Sequence, residues 1–544
     1  MPRNIPFNLG NAPGIAIQES INNNLELPSP SGFVAACPVV ARKGFPFTIL
    51  NISKHNFRDI LGEPLSSNEP GWEYMRQLYE ALQGAEIVKV VRVVPDASVF
   101  NYIVIKEDGT VDKTQTSKFS ASVTISSFTN SDTDNEIMLI YQIDGSDSNR
   151  KVLFKDFTTD NNGENIFTVE ITEENGVIQN FTGSYKVGVN DDEGRSRYFP
   201  DVFERESSIY RCLIPSIDGT NLTETRLNTI FFSGMSSTIL SDDGIADADY
   251  AGHYMGENSN SQGLPNTADF TKASGILSNT IDKYDALFTC GNRTAINIKE
   301  LIDIANNRRL ICFYDLTPGT SYPTAITNKQ TLSINEKRAF CLFVEFSCDD
   351  FFEELKKVFI GGSGAAVLAA ANGYNVRSGG VPGVHLAPAG ITRGSSIRTG
   401  IITEVDDTIP GEEFFSNRIN YYAKDNNTAG WYIYDVLTST NDNNTNRLFS
   451  VVNIDNYLAI KIFDAVQIFQ FQPSSSNIIN TITDLLVDQV FKPAESSGAL
   501  HGSDPYKISI KLVSSDKIEI NYSITPVGSI RRIEAQPIIL NRLT

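Results

Sequence analysis

Six cysteines and four histidines are the side chains best suited to metal or nucleophilic chemistry in this sequence, and their spacing supports neither. Cys37, Cys212, Cys290, Cys312, Cys341 and Cys348 form no CxxC or CxxH pair. His55, His253, His385 and His501 stand apart from any cysteine pair. Structural zinc needs four such ligands converging, so no metal is expected. Scattered cysteines in a chain this long read as buried reduced thiols of a cytoplasmic product. Asp242, Asp243, Asp247 and Asp249 would suit calcium, but their spacing does not fit an EF-hand loop, and the cluster reads as a solvated loop. Gly361-Gly362-Ser363-Gly364 invites a phosphate-cradling reading. It lacks the lysine followed by serine or threonine and is no GxGxxG. The expectation is instead a glycine-permitted close approach before an alanine-rich helix at 365–371. No Ser-His-Asp order or paired-carboxylate motif stands out, so neither catalysis nor a cofactor is expected. An enzyme without a recognisable motif stays as an alternative.

The elements around these residues set firmer bounds. A chain of 544 residues has room for two to four domains. No run of eighteen apolar residues occurs, and Met1-Pro2-Arg3-Asn4-Ile5 lacks a signal-peptide apolar region. A soluble protein not exported by the standard route is expected. The net charge of −20 disfavours nucleic acid and anionic membrane as partners.

In chain order, prolines 2, 6, 13, 28 and 30 keep the first thirty residues out of a helix. Ile15, Ile17 and Ile21 form a short extended segment there with little local chain to pair with. Residues 32–40 read as a buried strand, 56–61 as a short helix capped by Ser53 and stopped by Gly62, and 86–94 as a central strand. Trp72, Met75, Leu78, Tyr79 and Leu82 recur at helical spacing between them. That order suggests an α/β layer. From 100 to 337 short β-type runs at 102–106, 120–125, 137–143, 152–154 and 167–171 alternate with polar turns. Later pieces at 227–232, 286–290, 295–305 and 310–313 look mixed and are candidates to rejoin the core layer. Residues 342–346 read as a strand and 351–358 as the start of a helix with Glu353 four before Lys357.

The last fifty residues are the most patterned. Ile508, Ile510 and Leu512 alternate with Lys507, Ser509 and Lys511, and Ile518, Ile520, Tyr522 and Ile524 repeat the alternation after Ser514-Ser515-Asp516. This is a hairpin with one buried face. Ile530, Ile533 and Ile538 then continue an apolar tail. A terminus frays unless something ties it down, so the tail reads as a strand seeking a sheet, on another copy of the chain.

Residues 32–40, Gly44, 57–62, 79–82 and 88–94 resemble the opening of contractile tail sheath proteins, the outer cylinder of myovirus-type phage tails, R-type bacteriocins and related injection systems. Pro388-Ala389-Gly390 resembles a segment that usually reads Pro-Ala-Asn, with His385 or Leu386 where many members carry tryptophan. Asn417-Arg418-Ile419-Asn420 matches the family's asparagine-containing turn. Trp431-Tyr432-Ile433-Tyr434 stands where the family has Trp-Gly-Ala-Arg-Thr, without the arginine. The strongest match is an ordered set: an apolar helix at 451–471 ending in Phe471-Gln472-Pro473, a second helix introduced by residues 474–477, Gly498-Ala499-Leu500, the hairpin, then Pro526-Val527 and the tail.

The resemblance implies an α+β multidomain chain: a discontinuous α/β core from N- and C-terminal parts, mainly β insertion domains in the middle, and extended terminal arms. The boundaries are an N-terminal arm at 1–30, core at 31–99, insertions at 100–337, C-terminal core domain with hairpin at 338–527, and a C-terminal arm at 528–544. It implies a helical homo-oligomer of stacked rings around an inner tail tube, with baseplate and tail terminator proteins as further partners, in a virion tail assembled in the host cytoplasm. The arms, through Ile15, Ile17, Ile21, Ile530, Ile533 and Ile538, would add strands to hairpins of neighbouring copies at Ile508, Ile510, Leu512, Ile518, Ile520 and Tyr522. Arg418, Lys461 and Lys492 are candidate tube-facing cations. A donated strand gains roughly 0.5–1.5 kcal/mol per backbone hydrogen bond against about 1–2 kcal/mol per residue ordered. One arm is therefore marginal unless its isoleucines are buried as well, and two arms per subunit add avidity. The other alternative is a static β-rich surface or adhesion module, suggested by the Asn/Asp-rich middle.

Overall fold

The computed structural model describes residues 32–95, 102–106, 111–112, 136–142, 150–160, 163–173, 178–207, 210–214, 239–241, 264–403, 409–424, 430–472, 475–514 and 517–528. The chain divides into two compact units, one of residues 1–37, 76–89 and 277–544, the other of 38–75 and 90–276. The strands needed below are β1 (Val34–Val39), β2 (Ile49–Ile52), β3 (Ile87–Arg92), β4 (Tyr102–Lys106), β5 (Val111–Asp112), β6 (Glu136–Gln142), β7 (Arg150–Thr159), β8 (Asn165–Glu173), β9 (Ile178–Gly183), β10 (Tyr210–Leu213), β11 (Ile239–Ser241), β12 (Ala286–Phe288), β13 (Ile311–Asp315) and β14 (Ala339–Leu342).

A six-stranded sheet runs in the order β14-β13-β12-β1-β3-β2. β1 is buried at every position, as an unbroken apolar run in a covered sheet must be. β12 pairs with β1 in parallel through Ala35↔Ala286 and Ala36↔Leu287, and β13 and β14 extend the parallel set. Parallel neighbours need crossovers, supplied here by helices Ala295–Arg308 and Tyr322–Leu332. The pieces expected at 286–290, 295–305 and 310–313 thus do enter the layer that holds β1.

The second unit contains two four-stranded antiparallel sheets, β10-β6-β4-β5 and β11-β7-β8-β9. β4, β6, β7 and β8 fall on runs expected to be strands. The expected strand at 120–125, the mixed piece at 227–232 and the acidic cluster at 242–249 lie outside the described residues. A core of Phe154, Phe167, Val169, Phe181, Phe199, Val202, Phe203 and Tyr210 fills this unit. Phe181 stacks on Phe203 at 4.1 Å. The chain as a whole mixes helix and sheet in several sheets, and all six cysteines are free and buried.

Glycines 361 and 364 show why the glycine-rich run is not a ligand loop. A Cβ at Gly364 would meet the Gln77 carbonyl at 2.2 Å, and one at Gly361 would strike the Asp315 carboxylate. The space is occupied by the chain's own groups, and helix Ser363–Tyr374 follows.

Two local expectations are corrected. Residues 351–358 are not helical. Asp350 accepts backbone hydrogen bonds from Phe352 (2.8 Å) and Glu353 (3.2 Å), a local side-chain alternative to helix, and Leu355 turns left-handed at φ 62°. Lys357 consequently pairs with Asp349, and Glu353 with Lys356 at 3.0 Å. The short helix Phe57–Leu61 is preceded by Asn56 as N-cap, not Ser53. Asn56 Oδ1 accepts from the Ser53 backbone N–H at 2.7 Å.

Candidate strand-accepting site

The C-terminal hairpin rests on a bed of helices. Helix Phe449–Val466 is largely apolar and runs into a 3₁₀ turn at Gln467–Phe469. Phe471 then adopts φ 68° and ends the run. Ser475 caps the next helix, Ser476–Leu486, its hydroxyl accepting from Ile478 N–H at 3.4 Å. A π-helical turn at Val487–Phe491 and helix Lys492–Ser496 complete the bed. Ile454, Leu458, Ile482, Leu486, Val490 and Phe491 form its buried cluster.

Tyr506–Ser514 and Lys517–Ile524 pair antiparallel on this bed, with Ile508 opposite Tyr522, Ile510 opposite Ile520 and Leu512 opposite Ile518. Tyr506, Ile508, Ile510, Ile518, Ile520, Tyr522 and Ile524 pack half-buried against the cluster. The residues between them face solvent. Phe491 stacks on Tyr506 at 5.0 Å and meets Tyr522 at 5.8 Å. The base is tied by His501 N–H to Thr525 O (2.9 Å), Thr525 N–H to Pro505 O (2.9 Å) and Val527 N–H to Ala499 O (3.0 Å). Leu512, placed in the packed face by its alternation, is 45% exposed, because the hairpin tip runs past the bed; Val513 beside it is 53% exposed.

Among the described residues the hairpin is a two-stranded sheet. Each strand therefore turns one edge of backbone donors and acceptors outward, over nine and eight residues respectively. Folded proteins normally keep such edges short, charged on the inner face or covered, because they template pairing with another strand. Here the edge is long and its inner face apolar. Chemically the arrangement can accept a strand on either side.

Ile15, Ile17, Ile21, Ile530, Ile533 and Ile538 lie outside the described residues. The three cations expected to face a tube are placed differently from one another. Arg418 is 5% exposed, which corrects its reading as a surface charge. Its guanidinium donates to Thr440 O (2.9 Å), Phe415 O (2.9 Å) and Asn443 Oδ1 (3.3 Å), so the charge serves the fold. Lys492 is exposed and bonds Asp488 one helical turn back at 2.7 Å. Lys461 is exposed on helix Phe449–Val466, its Nζ 5.7 Å from the Tyr457 ring centroid.

Sequence reasoning passed over a set of buried polar pairs that hold this unit together. Arg398 grips Glu80 with two bonds (3.0 and 2.7 Å) and donates to the carbonyls of Ile360 and Gly361, both acid and base fully buried. Arg76 meets Asp350 at 2.8 Å, also fully buried. Gln77 bonds Asp315 (3.1 Å) and Ser363. Asn420 donates to Cys341 O and Leu437 O, both at 2.8 Å, and accepts from Leu437 N–H at 2.7 Å. The asparagine-containing turn thus ties β14 to the backbone at Leu437. The one available signal was the placement of Arg76, Gln77 and Glu80 on a helix that is apolar on its other side, a pattern that normally marks a solvated face.

No family model and no curated protein matches the chain. Solved structures do. The sheath tail protein of Listeria innocua is similar over 92% of this chain and 93% of its own, at 11% identity and a TM-score of 0.52. The sheath tail protein of Desulfitobacterium hafniense covers 94% of this chain and 100% of its own, at 10% identity and a TM-score of 0.46. The contracted-state sheath complex of an extracellular contractile injection system, PVC, is 18% identical over 49% of this chain and 74% of its own, with a TM-score of 0.41. The chain shares the fold of the Listeria innocua protein along nearly its full length.

Proposed function

We propose that this chain is a structural subunit of a contractile tail sheath. The observation that carries the reading is the fold shared with the Listeria innocua sheath tail protein over 92% of the chain. The open-edged hairpin on its helical bed gives that reading a physical means of polymerising. Residues 1–30 and 528–544 serve as arms that enter hairpins of neighbouring copies. Subunits assemble as stacked rings around an inner tube, in contact with a baseplate and a tail terminator. Release into a shorter, wider lattice then drives the tube through a target envelope. New contacts between subunit bodies supply the free energy, so the subunit acts mechanically and not as an enzyme. Of the three candidate cations, Lys461 and Lys492 are the exposed ones, and they face an acidic tube in this reading. The fold likeness favours neither an adhesion module nor an enzyme.

Negative-stain microscopy of the purified full chain, beside a variant lacking residues 1–27, tests this. Tubes or stacked rings are expected from the full chain, and folded, unassembled particles from the truncation. Identical monodisperse particles from both, over a range of concentration and salt, would overturn the sheath reading.

A further inference from the structure

The connection between β14 and the strand Phe346–Asp349 buries a carboxyl group that the sheath reading does not use. Glu345 is 1% exposed, and neither carboxyl oxygen accepts a hydrogen bond from another residue. The next residue, Phe346, packs on Tyr422 at 5.2 Å and on Trp431 at 5.1 Å, and the Arg398 guanidinium lies 5.8 Å from the Phe346 ring. The charge of Arg398 reaches Glu345, yet its bonds already go to Glu80, Ile360 O and Gly361 O. The Tyr422 hydroxyl, within electrostatic reach of Glu345, is buried and also has no hydrogen-bond partner. One buried cation thus acts on two buried carboxyl groups and is hydrogen-bonded to only one of them.

We propose that Glu345 is a proton-held latch: as a neutral acid it lets the chain at 345–349 pack dry against Arg398 and Tyr422, and loss of its proton drives that packing open. Two groups act on it directly, Arg398 from the segment before Ile402 and Tyr422 from strand Tyr422–Lys424. Through these two the same network takes in Glu80 of helix Trp72–Ala81 and Cys348 of strand Phe346–Asp349. Beyond its own backbone N–H, an ionised Glu345 has no hydrogen-bond donor among the described residues and must compete with Glu80 for Arg398. An unpaired buried charge is among the costliest features a fold can carry.

Burial pushes the Glu345 carboxyl from its ordinary 4.5 up to about 8, against the pull of its own backbone N–H and of Arg398. A carboxyl raised by folding weakens the closed state as pH climbs from its unfolded value to its folded one, and has no further effect above that. Asp285, raised by burial to about 6, covers the lower part of the same range. The window belonging to Glu345 is therefore about pH 6.5 to 8. The latch works within one subunit and does not depend on polymerisation.

Hydrogen exchange of the full chain, corrected for intrinsic rates and read on peptides covering 342–349 and 398–403, tests the latch. Opening should rise by about fifteenfold between pH 6.5 and 8, close to tenfold per unit at first and levelling off above 8. Glu345→Gln and Glu345→Met should both flatten that rise, the second by filling the same dry site with an apolar chain. An equal slope in wild type and either folded variant overturns the proposal. Infrared spectra of the wild type supply a readout independent of the variants: a protonated-acid carbonyl band lost with a midpoint near 8 supports the latch, and its absence at pH 6.5 overturns it.

Discussion

Two antiparallel assemblies in this chain are finished in different ways. The β7–β8–β9 sheet buries Phe154, Phe167, Val169 and Phe181 to 1% exposure or less, and helix Phe199–Glu206 adds Phe199, Val202 and Phe203 to the same core. The C-terminal hairpin alternates half-buried and exposed residues, and its fully buried neighbours belong to the bed below it. One assembly completes its own core. The other, among the described residues, pairs its two strands only with each other, leaving a long edge on each. A two-stranded hairpin is marginal by itself and needs a further strand or a helix bed. This one has the bed, and an added strand would complete the sheet. Stability and assembly are thus carried by different residues, and substitutions can separate them.

The largest loss is expected in the closed assembly. Phe181→Ala removes a ring stacked at 4.1 Å and should cost about 3–5 kcal/mol in urea denaturation, with hydrogen exchange at 506–512 unchanged. A comparable loss, about 3–5 kcal/mol, is expected from Phe491→Ala, because Tyr506 and Tyr522 both pack on that ring. Here exchange in the hairpin should rise while β7–β9 stay protected. If both substitutions loosened both regions equally, the separation would be wrong. Ser475→Ala removes the cap of helix Ser476–Leu486 and should cost about 1 kcal/mol, measured by thermal unfolding. Smallest on stability is Leu512→Asp at the exposed tip, within about 0.5 kcal/mol. Its expected effect is on assembly, as fewer or shorter polymers in sedimentation at unchanged melting temperature.

The hairpin was legible because period-two alternation over two long runs admits one pairing, Ile508 with Tyr522 and Ile510 with Ile520. Leu512 fits the same alternation, but sequence period says nothing about how far the supporting helices reach. β12 and β13 were visible as apolar runs, whereas their place beside β1 depends on crossovers that no local pattern encodes. Residues 351–358 had helical charge spacing, and the competing Asp350 side-chain bonds decided the outcome. Arg418 looked like a surface charge and is a buried brace. Arg398 with Glu80, 318 positions apart in sequence, could be paired only by the fold.

The most direct test of the open-edge account is a density map of the assembled protein at a resolution that traces strands. Next to Tyr506–Ser514 and Lys517–Ile524, the account predicts added strands that trace to residues 1–30 and 528–544 of neighbouring copies. Edges left bare in the assembly, or filled by residues 529–540 of the same copy, would contradict it.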